Sequence, residues 1–200
     1  MADGVRPDEL SKKRKCDTSF YEVERLISSR KVNGKQLEYL VKWKYYSIYE
    51  ASWEPSENIT TECIKYFESP LPSQQIILDE VARLRIAVDK KLKSRSSLPV
   101  TVNFRHDVFK FLFKGKGYSL AGWQILDENV FPSVFFPESW DKCIDSHGQG
   151  TKIFFPIKVR TLLSFSTKKY TKTSNGSFEV APRAFEEKIT FAIRRRATGA

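Results

Sequence analysis

This 200-residue chain has few side chains of the kinds that perform catalysis, and their spacing does not suit a catalytic site. Cys143 and His147 lie four apart, so they would share one face of a helix, with Asp141 and Asp145 beside them. A zinc site needs a second pair of ligands, and a cysteine nucleophile needs a base held against it. The glycines around Lys116 lack the spacing of a phosphate-binding loop. We therefore expect no catalytic centre, no metal and no cofactor.

The most informative stretch runs from Phe20 to Phe67, where aromatic and β-branched residues are interleaved with charged ones. Val23 to Ile27 shows the alternation of a half-buried strand. Asn33-Gly34 is the dipeptide that a two-residue hairpin turn requires, since both central residues take a positive φ. The other predicted elements are a returning strand over 36–44, a short strand over 53–55 and a helix over 60–67. The stretch therefore predicts a three-stranded antiparallel sheet followed by one C-terminal helix.

Three motifs occur in order within this stretch. They are Tyr21-x-Val23-Glu24-x-Leu26-Ile27, Tyr39-Leu40-Val41-Lys42-Trp43-Lys44-x-Tyr46 and Ser52-Trp53-Glu54-Pro55-x-x-Asn58-Ile59. In this order they resemble a chromodomain of the heterochromatin-protein-like or Polycomb-like kind, and the resemblance covers residues 20–70. It implies a nuclear protein that binds methylated histone tails on chromatin. It also implies a role in heterochromatin and in the regulation of transcription.

In chromodomains three aromatic side chains surround a methylated lysine, and the resemblance places them at Tyr21, Trp43 and Tyr46. A methylated ammonium keeps its charge but is poorly hydrated, so each ring face stabilises it by roughly 0.5–2 kcal/mol. The resemblance also implies that the histone tail binds as an added β-strand. The residues it assigns to peptide binding are Glu22, Val23, Glu50, Asn58 and Thr60.

Two positions depart from the family pattern. Ala51 stands where chromodomains usually carry asparagine, and loss of that side-chain hydrogen bond could weaken peptide binding by ~0.5–1.5 kcal/mol. Lys44-Tyr45 stands where they usually carry Lys-Gly. Neither change removes a wall of the cage. The alternative is that the three rings are ordinary core aromatics of a small sheet.

The charges of the chain, +10 in total, are unevenly distributed. Residues 17–72 carry seven Lys/Arg and nine Asp/Glu, whereas residues 101–200 carry sixteen and nine. A slightly acidic module suits a basic histone tail. The basic second half suits DNA or RNA, through contacts with phosphates that do not read sequence.

Residues 1–19 are polar and predict a disordered arm without a signal peptide. Its basic cluster, Lys12, Lys13, Arg14 and Lys15, is typical of a nuclear-import signal. No run approaches the ~20 apolar residues of a membrane span, so we expect no membrane contact. The three cysteines are far apart, which fits a reducing compartment and excludes a disulfide framework.

Residues 73–94 predict an amphipathic linking helix that starts at Ser73. Its apolar stripe is spaced by three or four residues and consists of Ile77, Val81, Leu84, Val88 and Leu92. The stripe favours a helix docked on a neighbouring domain. The alternative is a homodimer through a short coiled-coil seam.

Residues 100–196 predict a second domain of unknown function. Strand patterns occur over 100–104, 151–155, 157–165 and 188–193, and Asn175-Gly176 indicates another hairpin. Residues 107–113 could form either a helix or a strand. Phe-rich runs such as 130–136 are too apolar for a disordered tail. The expected fold class is α+β: a chromodomain-like sheet and helix, the linking helix, and a small β-rich domain.

The expected function is a chromatin reader and not an enzyme. Two alternatives remain open: a chromatin-modifying enzyme targeted by its chromodomain, and a chromatin protein that binds nucleic acid. A histone methyltransferase would need clustered zinc cysteines and an Asn-His motif, and this sequence has neither. Intact aromatic residues at all three cage positions argue for the reader.

Overall fold

The computed structural model of the protein describes residues 21–198, beginning with the sheet that the sequence predicts. Strands β1 (Val23–Val32), β2 (Gln36–Trp43) and β3 (Ser52–Pro55) form a three-stranded antiparallel sheet in the order β1-β2-β3. The hairpin turn lies at Asn33 and Gly34, whose φ angles are 51° and 71°. The turn thus uses the left-handed conformation that these two residue types tolerate.

Helix α1 (Thr61–Glu68) closes this sheet. The Thr60 hydroxyl caps it by accepting a hydrogen bond from the backbone N–H of Cys63 at 3.4 Å. On its inner side Phe67 is buried, and its ring lies 5.4 Å from that of Tyr39 in edge-to-face contact. The small core around this contact also holds Leu26, Val41 and Ile59. The predicted three-stranded sheet with a C-terminal helix is confirmed.

Helix α2 (Gln74–Lys93) begins after Ser73, as its apolar spacing predicts. All five residues of the apolar stripe are at most 5% exposed. They pack against residues of the second sheet and of the next helix in one continuous core. In the folded chain the stripe is covered by its own core and is not exposed as a coiled-coil seam would be. This burial supports the interpretation of a helix docked on a neighbouring domain.

A second, larger sheet follows. Its strands are β4 (Val100–Asn103), β5 (Tyr118–Leu120), β6 (Trp123–Leu126), β7 (Lys142–Ile144), β8 (Gly150–Phe165) and β11 (Phe185–Thr198). The order is β4-β11-β8-β6-β5, with β7 also paired to β8, and every pairing is antiparallel. The remaining strands, β9 (Tyr170–Lys172) and β10 (Phe178–Val180), form a separate hairpin around Asn175-Gly176. The mixed α+β class and the β-rich second half are confirmed.

Helix α3 (His106–Phe113) resolves the ambiguity over residues 107–113 in favour of a helix. Together with α2 it covers one face of the large sheet. The Phe-rich runs fill the space between these layers: Phe113 and Phe131 have ring centroids 5.2 Å apart, and Trp140 lies 4.5 Å from Phe131. Their apolar area therefore contributes to a packed core.

The two sheets are joined by a buried ion pair. Arg25 of β1 makes two hydrogen bonds to the carboxylate of Glu187 on β11, with Nη1 to Oε1 at 3.1 Å, and both side chains are at most 12% exposed. Burial of the guanidinium works against its charge, but the carboxylate outweighs this and raises the pKa of Arg25 above its ordinary value. Glu187 Oε1 also accepts the backbone N–H of His106, the first residue of α3, at 2.9 Å.

A lysine from α3 reaches across the same junction. Lys110 Nζ donates to the carbonyl oxygen of Phe67 at 2.9 Å and lies over the Phe67 ring. Burial lowers the pKa of Lys110 to about 8.

Within the described range 21–198, no helix is long and apolar enough to cross a bilayer.

Candidate functional site

Three aromatic side chains lie together at one end of the small sheet. The ring of Tyr21 lies 6.0 Å from the ring of Trp43 and 5.6 Å from that of Tyr46, in edge-to-face arrangements. Tyr21 is 57% exposed and Tyr46 41%, so these rings are not core residues. Because two of the three rings are exposed, they are not all ordinary core aromatics. We call these three residues the aromatic cluster.

Backbone pairing positions the cluster. Trp43 ends β2 opposite Val23, and the N–H of Lys44 donates to the carbonyl of Glu22 at 2.9 Å. This pairing sets Tyr21 at the edge of the loop that carries Tyr46. A lysine then fixes the loop: Lys42 Nζ donates to the carbonyl oxygens of Trp43 and Tyr46 at 2.8 and 2.6 Å.

Polar groups on β3 hold the indole of Trp43 in one orientation. Its Nε1–H donates to Ser52 Oγ at 3.0 Å, and the Ser52 hydroxyl donates to Glu54. Ser52 and Glu54 lie two apart on β3 and therefore share one face of the strand. This face is turned towards the aromatic cluster. Because the indole is already held in one orientation, the binding of a ligand costs less conformational entropy.

The cluster opens on a cleft of about 500 Å³, which we call the aromatic cleft. It is lined by Tyr21, Trp43, Tyr46, Glu50, Ser52 and Glu54. Two carboxylates and three rings therefore face it, and within the described range no lysine or arginine does. Partial burial raises the pKa of the Tyr46 hydroxyl, with smaller contributions from Tyr21 and Glu50. This composition favours a cationic ligand over an anionic or neutral one.

Of the residues assigned to peptide binding, Glu50 is the one that lines the aromatic cleft. Its carboxylate accepts the N–H of Ser47 at 2.8 Å and so stabilises the turn beside the cleft. Glu22 forms an exposed ion pair with Lys44. Val23 packs at the edge of the small core.

Asn58 and Thr60 lie away from the aromatic cleft. Asn58 is exposed and ends a short 3₁₀ turn, and Thr60 caps α1.

The basic cluster Lys12–Lys15 lies outside the described residues.

The family departure at Tyr45 has a backbone consequence. Tyr45 has a φ of 66°, a left-handed conformation that glycine adopts readily and tyrosine does not. Its side chain is 89% exposed and packs against little. Ala51, the other departure, ends the turn after Glu50 through its backbone N–H, which donates to the carbonyl of Ile48 at 3.3 Å.

We predict that Tyr45→Gly raises the free energy of unfolding by about 0.5–1 kcal/mol. The strain of a left-handed L-residue is about 1–2 kcal/mol, and the greater entropy of glycine in the unfolded chain removes part of the gain. Urea unfolding followed by tryptophan fluorescence measures the change. The matched control is Tyr49→Gly, an exposed tyrosine of the same loop without a positive φ, which should lower stability instead.

The catalytic candidates of the second half are not assembled into a site. Cys143 lies on strand β7, not on a helix, and packs against the core, while His147 is exposed in the following turn. Asp145 accepts the N–H groups of His147 and Gln149, each at 2.9 Å, and so builds that turn. Cys143 and His147 therefore do not share a helix face. Within residues 21–198, no three potential metal ligands come together.

Sequence reasoning missed Ser52 and Glu54 as residues of the site. Both stand in the Ser-Trp-Glu-Pro motif, and the strand alternation could have placed them on one face with Trp53 on the other. It also missed the Arg25–Glu187 pair, because the two residues lie 162 positions apart. No local pattern marks such a contact.

Comparison with known proteins gives matches to the region that contains the aromatic cluster. Residues 21–69 match the Chromo (CHRromatin Organisation MOdifier) domain. Chromodomain Y-like protein 2 of Homo sapiens is 34% identical over 75 residues, which cover 38% of this chain and 12% of that protein. Chromodomain Y-like protein of Homo sapiens is 27% identical over 188 residues, covering 86% of this chain and 31% of that protein.

A fungal relative is also similar to part of this chain. Chromatin-associated protein SWI6 of Cryptococcus neoformans is 35% identical over 65 residues, covering 28% of this chain and 29% of that protein. The chain thus spans less than a third of the length of these relatives. The relatives are named as chromodomain or chromatin-associated proteins, which supports a chromatin-associated reader. Sheet, helix, motif order and family match agree: residues 21–69 of this chain are a chromodomain.

Proposed function

We propose that the aromatic cluster is a cage for a methylated lysine and that the chain reads a methylated histone tail on chromatin. The observation that carries this proposal is the composition of the aromatic cleft, in which three rings and two carboxylates face one space. A methylated ammonium loses hydration at little cost and gains contact with the electron-rich ring faces. Glu50 and Glu54 add a favourable field for its charge.

The tail binds as an added strand next to β1. Within the described range, β1 pairs with β2 and its second edge has no strand partner. An extended peptide placed there gains main-chain hydrogen bonds, while its lysine side chain enters the cleft beside Tyr21. Glu22 and Val23 belong to this peptide-binding edge in our proposal, with Glu50 at the cleft. Asn58 and Thr60 supply contacts on the far side of the peptide.

We predict that trimethylation of one lysine strengthens binding of a histone H3 tail peptide at least tenfold. Three ring contacts of roughly 0.5–2 kcal/mol each account for such a gain. Calorimetric titration of the full chain compares four peptides: unmodified, trimethylated at lysine nine, trimethylated at lysine twenty-seven, and one with an uncharged carbon isostere of trimethyllysine. The isostere has the same shape without the charge, so the cage model expects it to bind at least several-fold more weakly than the cation.

Trp43→Ala removes one wall and should reduce affinity for the preferred methylated peptide at least tenfold. Tyr49→Ala is the matched control, because Tyr49 is an exposed aromatic residue of the same loop that does not line the cleft. Circular dichroism establishes that both variants are folded. Unchanged affinity in a folded Trp43→Ala protein, or equal affinity for the isostere and the cation, would contradict the cage.

We further propose that the chain is a nuclear binding protein without catalytic activity of its own. The relatives carry names of chromatin proteins. In the second half, Cys143 packs against the core and His106 Nε2 lies 3.0 Å from the carbonyl oxygen of Lys188. In this proposal the Lys12–Lys15 cluster directs nuclear import. A fluorescent fusion in which these four residues are alanine should lose nuclear accumulation.

A further inference from the structure

The large sheet has two different faces. Its inner face carries Ile153, Ile157 and Val159 of β8 and Ile189 and Phe191 of β11, all buried under α2 and α3. Alternate residues of the same strands point to the opposite face. In the described range 21–198 no helix packs over that outer face.

Basic residues occupy the outer face across three neighbouring strands. Arg196 of β11 lies directly opposite Lys152 of β8, which in turn lies opposite Lys142 of β7. Directly opposite residues of an antiparallel pair share a face, and like charges in such positions destabilise a sheet. A row of three cations across three strands is thus an arrangement that folding alone does not favour.

The positive surface continues along β8 and β11. Lys158 and Arg160 follow Lys152 on the same face of β8, and Arg194 precedes Arg196 on β11. All five of these side chains are exposed. Within the described residues, none of the five has a carboxylate within ion-pair distance, whereas Lys188 nearby is paired with Glu186. We call Lys152, Lys158, Arg160, Arg194 and Arg196 the basic face.

Aromatic rings lie between these cations. Arg194 stacks on Phe154, with its guanidinium carbon 4.9 Å from the ring centroid, and Arg160 stacks on Trp123 at 4.5 Å. Phe154 is 41% exposed although it is a large apolar side chain. Planar guanidinium groups and aromatic rings are surfaces on which flat, electron-rich bases can stack.

The chromodomain does not cover this surface. It meets the large sheet on the inner side, where Arg25 contacts Glu187 and the ring of Trp53 lies 6.2 Å from Phe185. Glu187 and Phe185 alternate with the outer-face residues of β11. The aromatic cleft and the basic face are therefore separate surfaces, and both can be occupied at once.

We propose that the basic face binds single-stranded nucleic acid. Cations in rows match a phosphodiester backbone. The exposed ring of Phe154 and the half-buried ring of Trp123, on an open antiparallel sheet, match unpaired bases. From Lys152 to Arg160 the face extends roughly 25 Å at about 3.3 Å per residue, a length that holds several nucleotides. A duplex offers phosphates but hides its base faces, so it would leave Phe154 and Trp123 without a role.

Fluorescence anisotropy of the full chain with labelled twelve-nucleotide oligo(U), oligo(dT) and a duplex of the same length tests the proposal. We expect single strands to bind at least several-fold tighter than the duplex, and the comparison of oligo(U) with oligo(dT) identifies RNA or DNA as the preferred strand. Affinity should fall steeply with salt, with a slope of about −3 when four or five phosphates are contacted.

Two variants locate the site. Lys152→Glu with Arg196→Glu should weaken binding at least tenfold and reduce the salt slope by about 1.4. Phe154→Ala should weaken it about tenfold at unchanged slope, because it removes a stacking surface and not a charge. The control, Lys35→Glu with Lys65→Glu, makes the same change in net charge on exposed residues of the chromodomain. Methylated-peptide binding should be unchanged in all three folded proteins, so this test is independent of the proposed cage.

Tighter binding of the duplex, or no measurable binding of either single strand at low salt, would overturn the proposal. An equal loss in the control pair would also overturn it, because the effect would then follow net charge alone. Unchanged affinity of folded Phe154→Ala would remove the stacking part of the argument and with it the preference for single strands.

Discussion

Replacing Glu187 with alanine is expected to lower the free energy of unfolding by about 3–5 kcal/mol, the cost of breaking a buried ion pair from one side. The change leaves the guanidinium of Arg25 buried without its partner. It also leaves the backbone N–H of His106 without an acceptor at the first turn of α3. Urea or thermal unfolding followed by circular dichroism measures the loss. Glu179→Ala, an exposed acidic residue of the β9–β10 hairpin, is the control and should change stability by less than about 0.5 kcal/mol.

A double replacement separates the role of the charges from that of packing. Arg25→Met combined with Glu187→Leu removes both charges and keeps apolar volume, so it should recover most of the stability lost in Glu187→Ala. If Glu187→Ala unfolds like the control, the pair contributes nothing and the junction between the two sheets is held by its other contacts, such as the hydrogen bond from Lys110 to Phe67.

Val88→Asp is expected to destabilise the protein by about 4 kcal/mol or more, because it places an unpaired carboxylate in the shared core of α2 and the large sheet. Val88 is 1% exposed. Ile86→Asp, two residues away on the same helix at a position 57% exposed, is the matched control and should stay within about 0.5 kcal/mol. Chemical unfolding measures both, and sedimentation velocity at several concentrations reports the oligomeric state.

The result also decides where the second domain begins. The division at residue 100 remains a prediction, but the burial of the α2 stripe leads us to propose that the second unit starts at Gln74. A fragment of residues 71–200 should then fold, and one of residues 100–200 should not. If instead Val88→Asp leaves stability unchanged and converts a dimer to a monomer, α2 is a dimer seam after all.

Local chemistry explains why the first sheet could be predicted. Strand alternation in Val23–Ile27, the left-handed turn at Asn33-Gly34 and the cap at Thr60 each act within a few residues, so they can be recognised in isolation. Residues 107–113 show the opposite case. The apolar run there is short, and a short apolar run does not distinguish a helix from a strand. The structure shows a helix that packs between two layers.

The sequence by itself determined the first sheet and its order of strands, because these depend on short motifs and on alternation. The resemblance of those motifs to chromodomains singled out the three aromatic positions. Only the tertiary structure decided that α2 belongs to the core of the second sheet, that Ser52 and Glu54 complete the aromatic cleft, and that Glu187 receives Arg25. It alone also brought Lys142, Lys152 and Arg196 into one row. The physical reason is that burial, charge pairing and strand neighbours arise from contacts between distant segments, and a local pattern carries no record of which segments will meet.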